Sequence, residues 1–530
     1  MKIAKLFRAI WVAAACLLLN ACFEIKQEFT LNPDGSGKVV MDATFPQLTL
    51  TGDQKQDDAA LKKAVAEFLE ESEGIEAWKD VSYEWTDDGR IHFVGTGYFT
   101  DLSAIKFDNV GLVEFAWKKT GQNGQLSMSF SENEDAADPP PVATDPDKRA
   151  EEIKAERAKF KQSKAMMAGF MGTMSHRATF TLPGKAGKTH HFKTADDGKI
   201  SLKVTGSQML DAMEKLVNDD EWMATNSFNV ENGPSDTAAL NAALFGSKDP
   251  AIARRTAVSK PLFPYARELA EAKKAYATLE ETLGTKIGPA ATGEPFESLE
   301  VVGLRVISDV DGDFNFQPFN SQPGISLSLL GEFSGSVLEV TNESILKKAI
   351  ASDGTDLLPT NKFNRQIDFA RLSKNRTKVL FEVELKPTDQ PITGLKELSG
   401  TIQYVVAQGT KEVDLGFPSI EQGKQGDKLS AKIKTVKEGW RKNGSEEMEI
   451  EIDIKVSELK ELILVDGGKR ITLEKRGHSS FGNKAPSFNF ESKKAFPKNA
   501  VLIAVLHDKI ETYDIPFKLE DYSLLDLLEK

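Results

Sequence analysis

Residues 447–456 alternate without a break. Met448, Ile450, Ile452, Ile454 and Val456 are apolar, and Glu447, Glu449, Glu451, Asp453 and Lys455 between them are charged. A period of two over this length predicts a strand with one face in a core and the other in water. A helix is excluded, because its apolar face would recur every three or four residues. Val379, Phe381, Val383 and Leu385 repeat the pattern more loosely, and Tyr513, Ile515, Phe517 and Leu519 do so near the end. Residues 501–506 are apolar on both faces, as a central strand would be. Asp466-Gly467-Gly468 joins two apolar runs as a hairpin turn.

All of this follows Gly288-Pro289-Ala290-Ala291-Thr292-Gly293-Glu294-Pro295, a linker by composition that bounds residues 288–296. Short strands at close spacing without helices predict β-sandwiches, and roughly 235 residues is generous for one. The expectation is two immunoglobulin-like all-β sandwiches, 297–416 and 417–530. Leu395-Lys396-Glu397-Leu398 is echoed by Leu459-Lys460-Glu461-Leu462, but four common residues carry little weight alone.

Before the linker the pattern is mixed. Residues 22–206 read as an α+β domain. Strands 24–31 and 38–41 flank the turn Asn32-Pro33-Asp34-Gly35, and Leu61, Val65, Phe68 and Leu69 recur at helical spacing. Residues 132–147 are acidic and contain Pro139-Pro140-Pro141, so they form a Pro-rich insertion rather than a ladder or a helix. Residues 148–167 are rich in Ala, Lys and Glu and predict a helix. Residues 207–287 read as a helical segment. Ser207 and Asp236 are candidate caps, Pro264 suits a first turn and Gly284 a stop.

The chain begins with a different kind of signal. Lys2, Lys5 and Arg8 precede the apolar run 9–19, and Asn20-Ala21 leads to Cys22. Residues 1–21 therefore read as a signal peptide, too short for a spanning helix. Leu19-Asn20-Ala21-Cys22 resembles the lipobox of bacterial lipoproteins, with Asn20 a departure where a smaller residue is usual. The resemblance implies that Cys22 becomes the lipid-modified N-terminus. Of the chain's two cysteines, Cys16 leaves with the signal and Cys22 carries lipid, so no thiol remains for a disulfide, a thiolate metal site or a nucleophile. The formal charge of −13 becomes about −16 once Lys2, Lys5 and Arg8 are removed. Such a surface argues against nucleic acid and against adhesion to anionic head groups. Attachment falls to the acyl chains, at roughly 0.8 kcal/mol per buried methylene. Phe23 stands where an Asp would signal inner-membrane retention in some Gram-negative bacteria, which favours the outer membrane where that rule applies.

A second resemblance covers about 22–205. The hairpin with Asn32-Pro33-Asp34-Gly35, the later Phe180-Thr181-Leu182-Pro183-Gly184-Lys185 and the Asp197-Gly198 strand pair resemble the α+β domain of LppM-type bacterial lipoproteins. The likeness implies a lipid- or glycolipid-associated envelope protein, not an enzyme. The stretch 139–167 departs from it.

Candidate chemistry is sparse. In Gly477-His478-Ser479-Ser480-Phe481-Gly482, Phe481 stands where a nucleophile elbow has its second Gly, and Ala485-Pro486 follows in place of a helix. Ser479, with His507 and Asp508 as distant partners, is thus better read as a loop serine. Asp309, Asp311 and Asp313 are candidate calcium ligands, with Asn315 and Asn320 able to add oxygens. Gly312 and Asn320 do not fit the EF-hand positions, and a polar hairpin turn is the plainer reading. His190 and His191 are adjacent and would face opposite sides of a strand. Met166, Met167, Met171 and Met174 near Phe170 could line an acyl pocket, although the core-facing end of a helix is the simpler account. No cofactor is implied.

These readings lead to a lipid-anchored cell-envelope protein with a non-catalytic binding or scaffold role. It would be held to the membrane by N-terminal acyl chains and would present its sandwiches to an envelope protein or glycan. Lipid or glycolipid binding by the N-terminal domain is the alternative, and a serine hydrolase using Ser479 the weakest.

Overall fold

The opening hairpin forms as its turn chemistry predicts. Strand Glu24–Leu31 pairs antiparallel with Gly37–Phe45. Between them Gly35 takes φ +94° and Asp34 accepts from Ser36 N–H at 3.1 Å. The structure, a computed structural model, describes residues 24–45, 52–107, 113–130, 145–229, 233–234, 237–307, 323–388, 392–439, 445–467, 469–480, 484–492 and 495–525. Cys22, the calcium candidates Asp309, Asp311 and Asp313, and most of the Pro-rich insertion lie outside the described residues. The chain divides into units Met1–Thr285 and Lys286–Lys530. The first contains the helices; the second is built from antiparallel sheets.

In the first unit the opening strand sits in the middle of a seven-stranded sheet. Its second neighbour is Ser175–Thr181, which runs parallel to it. All other pairs in this sheet are antiparallel. Ile25, Gln27, Phe29 and Leu31 alternate on one face and are buried. That face has two covers. Helix Gln54–Glu71 brings Leu61, Val65, Phe68 and Leu69 against Ile25, Met41 and Phe93. A four-stranded sheet brings Phe115, Leu126 and Met128 against Phe29, Leu31 and Val39. Phe29 stacks on Phe180 at 4.8 Å, and Phe115 meets Phe180 edge-on at 4.8 Å.

The segment 207–287 contains more than helices. Ile252–Thr256 is a strand of that second sheet, between Lys185–His190 and Asn123–Phe130. Ala253 and Arg255 alternate inward, but five residues were too short a run to separate from their helical surroundings. Helix Gly206–Asn218 is capped by Thr205 in a capping box with Gln208, not by Ser207. Pro264 precedes helix Tyr265–Leu283, and Gly284 ends it at φ +70°.

In the second unit, two sheets contribute to each of two apolar cores. Leu327, Leu329, Phe381 and Val383 from one sheet meet Leu398, Ile402, Ile515 and Phe517 from another. Met448, Ile450, Phe488 and Phe490 meet Leu462, Leu464, Leu502 and Ala504 in the second core. Chain order and sheet order part here. The closing strand Ile510–Ser523 pairs along Gly394–Ala407, so it serves the first core rather than the one it follows. Thr410–Asp414 crosses the other way, pairing with Val501–His507.

Three sequence readings change in detail. The alternating run is a strand only over Glu446–Glu451; Ile452 is buried just past it, and a 3-10 turn follows at Val456–Glu458. The stretch 288–296 is docked rather than free. Ser336 N–H donates to the Pro289 carbonyl at 2.7 Å, Ala291 is buried, and Gly293 N–H donates to the Tyr404 hydroxyl at 2.9 Å. Gly335 permits this, since a Cβ there would stand 2.8 Å from Ala291 N. The Leu-Lys-Glu-Leu echo acquires a physical content. Leucines three apart on a regular strand face opposite sides, yet Leu395 and Leu398 are both buried, as are Leu459 and Leu462. A register shift at Lys396 against Ala351, and another at Lys460 against Leu506, is a β-bulge that turns both leucines inward.

Candidate functional site

The site begins where the chain comes in from Cys22. Strand register brings seven positions to one end of the seven-stranded sheet. Glu24 lies opposite Thr44 and Ser175, Ser175 opposite Thr205, and Phe45 and Trp85 opposite Ile91. Helix Pro146–Met171 arrives at the same end. Gly206 N–H donates to the Met174 carbonyl at 2.9 Å, and a Cβ on Gly206 would stand 1.8 Å from the Met171 oxygen, so only glycine allows this approach.

That long helix is set in place by its own cap and by its arginines. Asp145 accepts from Asp147 and Lys148 N–H, and Pro146 occupies the first turn. Buried Arg149 donates to the carbonyls of Met223, at 2.7 and 3.0 Å, and Asn226, at 2.6 Å, while Glu152 and Glu156 balance its charge. Arg157 donates to the Val217 carbonyl at 2.8 Å, and Lys164 pairs with Glu214 at 2.6 Å. These contacts run the helix antiparallel to Gly206–Asn218, so its C-terminal methionines lie toward the Glu24 end. Met167 and Met171 pack on one core cluster and Met174 on the other, as the core-facing reading expects, while Met166 is 43% exposed. The Phe170 side chain lies outside the description.

The polar groups at this end are small and local. Lys26 stands 3.6 Å from Glu24 and 3.6 Å from Asp42, and His92 Nε2 lies 3.0 Å from Asp42. Arg90 holds Asp88 at 2.8 Å, and hydrogen bonds from Arg90 and Thr86 lower its pKa. Deeper in, between the two covers of the sheet, His176 Nε2 and Gln27 Oε1 are 2.9 Å apart. Burial pushes the His176 pKa down to about 4, so it is neutral at physiological pH. Among the described residues its second nitrogen has no hydrogen-bond partner. Sequence inspection missed Gln27, His176, Arg149 and Asn32, whose side chain bonds Leu262 N–H and the Phe263 carbonyl. Gln27 carried a signal, since it interrupts the apolar alternation of its strand.

The hydrolase candidates are not assembled. Ser479 is exposed on the edge strand Glu474–Ser479. His507 ends a strand of a different sheet, and Asp508 faces Lys411 at 3.4 Å. Among the described residues no hydrogen bond joins Ser479 to His507. His190 and His191 have ring centroids 6.3 Å apart; His191 stacks on Phe245 and its Nε2 lies 3.1 Å from the Asp249 carbonyl. Among the described residues no three His, Cys, Asp or Glu side chains gather as metal ligands, and no helix is long and apolar enough to cross a membrane. The C-terminal unit carries a polar cleft of about 150 Å³, lined by Arg305, Ser326, Asn361, Asn364, Glu384 and Lys386.

Comparison with known proteins yields no matching family model and no matching curated relative. Among solved structures, the folded domain of the Mycobacterium tuberculosis protein LppM, determined by NMR, aligns over 35% of this chain and 84% of its own, at 11% identity and a TM-score of 0.17.

Proposed function

We propose that this is a lipid-anchored protein of the cell envelope with a non-catalytic binding or scaffold role. One observation carries the reading: the first strand opens at Glu24, two residues after the lipobox cysteine. The mature N-terminus would thus pass almost directly into a folded domain. The C-terminal unit, with two sheets to each core, is read as two immunoglobulin-like sandwiches that present edges and the Arg305 cleft to a partner. Phe23 after the cysteine favours the outer membrane in a Gram-negative host. Lipid binding inside the N-terminal domain has less support, because Phe29, Phe115 and Phe180 fill the space between its sheets. Ser479 and His507 lie on strands of different sheets, so ordinary serine reactivity is expected of Ser479.

The test is Cys22→Ser. Fractionation should move the protein from the membrane pellet to the soluble fraction, since an acidic body has no other strong attachment. A variant that stays wholly in the pellet refutes the anchor. A fluorophosphonate probe on the purified mature chain should leave it unlabelled; labelling abolished by Ser479→Ala would make it an enzyme.

A further inference from the structure

We propose that the Glu24 end of the seven-stranded sheet rests on the bilayer, making the lipid surface a direct partner of the N-terminal unit. The inference rests on lipidation of Cys22 and adds an orientation to it. Two residues of extended chain reach at most about 7 Å. A headgroup layer is roughly 5–8 Å deep. With Cys22 held by acyl chains at the membrane, Glu24 stays within about 7 Å of it, at or just above the headgroup zone, and the strand ends registered with it stay close to that surface. The eight-residue opening strand then carries its other end about 27 Å away.

The two ends differ in the way this requires. Phe45, Trp85, Met171 and Met174 are half-buried at the near end, and exposed Met166 lies about 7.5 Å further back along its helix. Flexible thioethers suit an uneven interface of apolar and polar groups. The charges of the near end are Lys26 between Glu24 and Asp42, Arg90 on Asp88, and exposed Glu84 and Asp87, a set that suits zwitterionic rather than anionic headgroups. The far end carries the Asp34 turn and the turn holding Asp196 and Asp197, beside the core ring of Phe180 through Ile200. An apolar rim beside the acyl chains adds a weak contact that fixes orientation rather than attachment.

The experiment uses the full acylated protein. Cys22 is then blocked and Cys16 has left with the signal, so Thr173→Cys, Met166→Cys and Asp196→Cys each offer a single thiol. Each is labelled with an environment-sensitive fluorophore and bound to phosphatidylcholine vesicles carrying a headgroup spin label. Quenching at residues 173 and 166 should exceed that at 196 by about twofold or more, given a separation of about 27 Å. Vesicle-bound protein with equal quenching at all three sites, or with quenching confined to residue 196, overturns the orientation and leaves the anchor standing. Protein that fails to float with vesicles, and whose Cys22 is unmodified by mass spectrometry, overturns both.

Discussion

The two units bury polarity differently. In the N-terminal unit, Gln27, His176, Arg149 and Arg255 are all buried. Arg149 meets carboxylates, His176 meets Gln27 and the Phe115 ring, and Arg255 donates to the Gly198 carbonyl at 3.1 Å while its Nε has no hydrogen-bond partner among the described residues. Among described residues of the C-terminal unit, the buried polar side chains are Ser336, Ser344, Ser445, Ser487 and Glu491, the last paired with Arg476 at 2.6 Å. Ser487 and Glu491 flank Phe488 and Phe490 of its second core on one strand. The parallel pair of the N-terminal sheet joins strands about 150 residues apart and has a buried hydrogen bond lying across it. A unit so built should respond to pH, and one built on apolar contacts should respond chiefly to intruding charge.

The largest expected effect is in the apolar core. Ile452 is fully buried, and Ile452→Asp should destabilise the C-terminal unit by several kcal/mol or prevent its folding, as read by chemical denaturation. A mild effect would mean that this core tolerates polarity as the N-terminal one does.

Acid titration tests the other side. His176 has a folded pKa of about 4, below the ordinary value near 6.5 of an unfolded chain. The unfolded state therefore takes up the proton first. Stability is complete above pH 6.5 and falls by about 3 kcal/mol as the pH drops toward 4. Trp78, Trp85, Trp117 and Trp222 lie in this unit and Trp440 in the other, so thermal melts of a Trp440→Phe chain followed by tryptophan fluorescence report on it. His176→Gln keeps a partner for Gln27 and should flatten the pH dependence. An unchanged slope in that variant would assign the acid response elsewhere. In the C-terminal unit, burial and the charges of Lys460 and Arg376 lower the His507 pKa, and burial raises that of Glu339. On acidification the first destabilises and the second stabilises, so they oppose each other.

The smallest effect sharpens the strand-face assignment. Glu451 is one residue from Ile452, partly exposed, and 3.4 Å from Lys434. Glu451→Lys replaces an attraction with a repulsion at the surface and should cost less than about 1 kcal/mol. Melts that put it level with Ile452→Asp would reverse the faces.

What was legible before the structure is what neighbouring residues decide among themselves. The Asn32-Pro33-Asp34-Gly35 turn, the Gly284 stop, the Asp466-Gly467 hairpin and the alternation around Ile450 all rest on φ preferences and on which face a side chain takes. The lipobox is equally local, and the methionine cluster was recognisable as a helix end. The anchor end of the sheet was not visible as a site, because its members, from Phe45 and Trp85 to Met171 and Thr205, are scattered over more than a hundred residues.

Only the tertiary structure decided which strands meet. Ile510–Ser523 has the same pattern whether it joins the core it follows or returns to Gly394–Ala407. Ile252–Thr256 is a strand because strands from 123–130 and 185–190 flank it, and the Pro- and Gly-rich stretch 288–296 is fixed because Ser336 and Tyr404 bond its backbone. The two Leu-Lys-Glu-Leu segments needed register to reveal a shared bulge. Backbone stereochemistry and amphipathic period are properties of a few consecutive residues, so sequence alone determined most of the elements, their turns and the proposed point of anchorage. Pairing partners, buried polar contacts and the surface set beside the anchor depend on which distant apolar faces can be covered together, and a linear pattern does not contain that geometry.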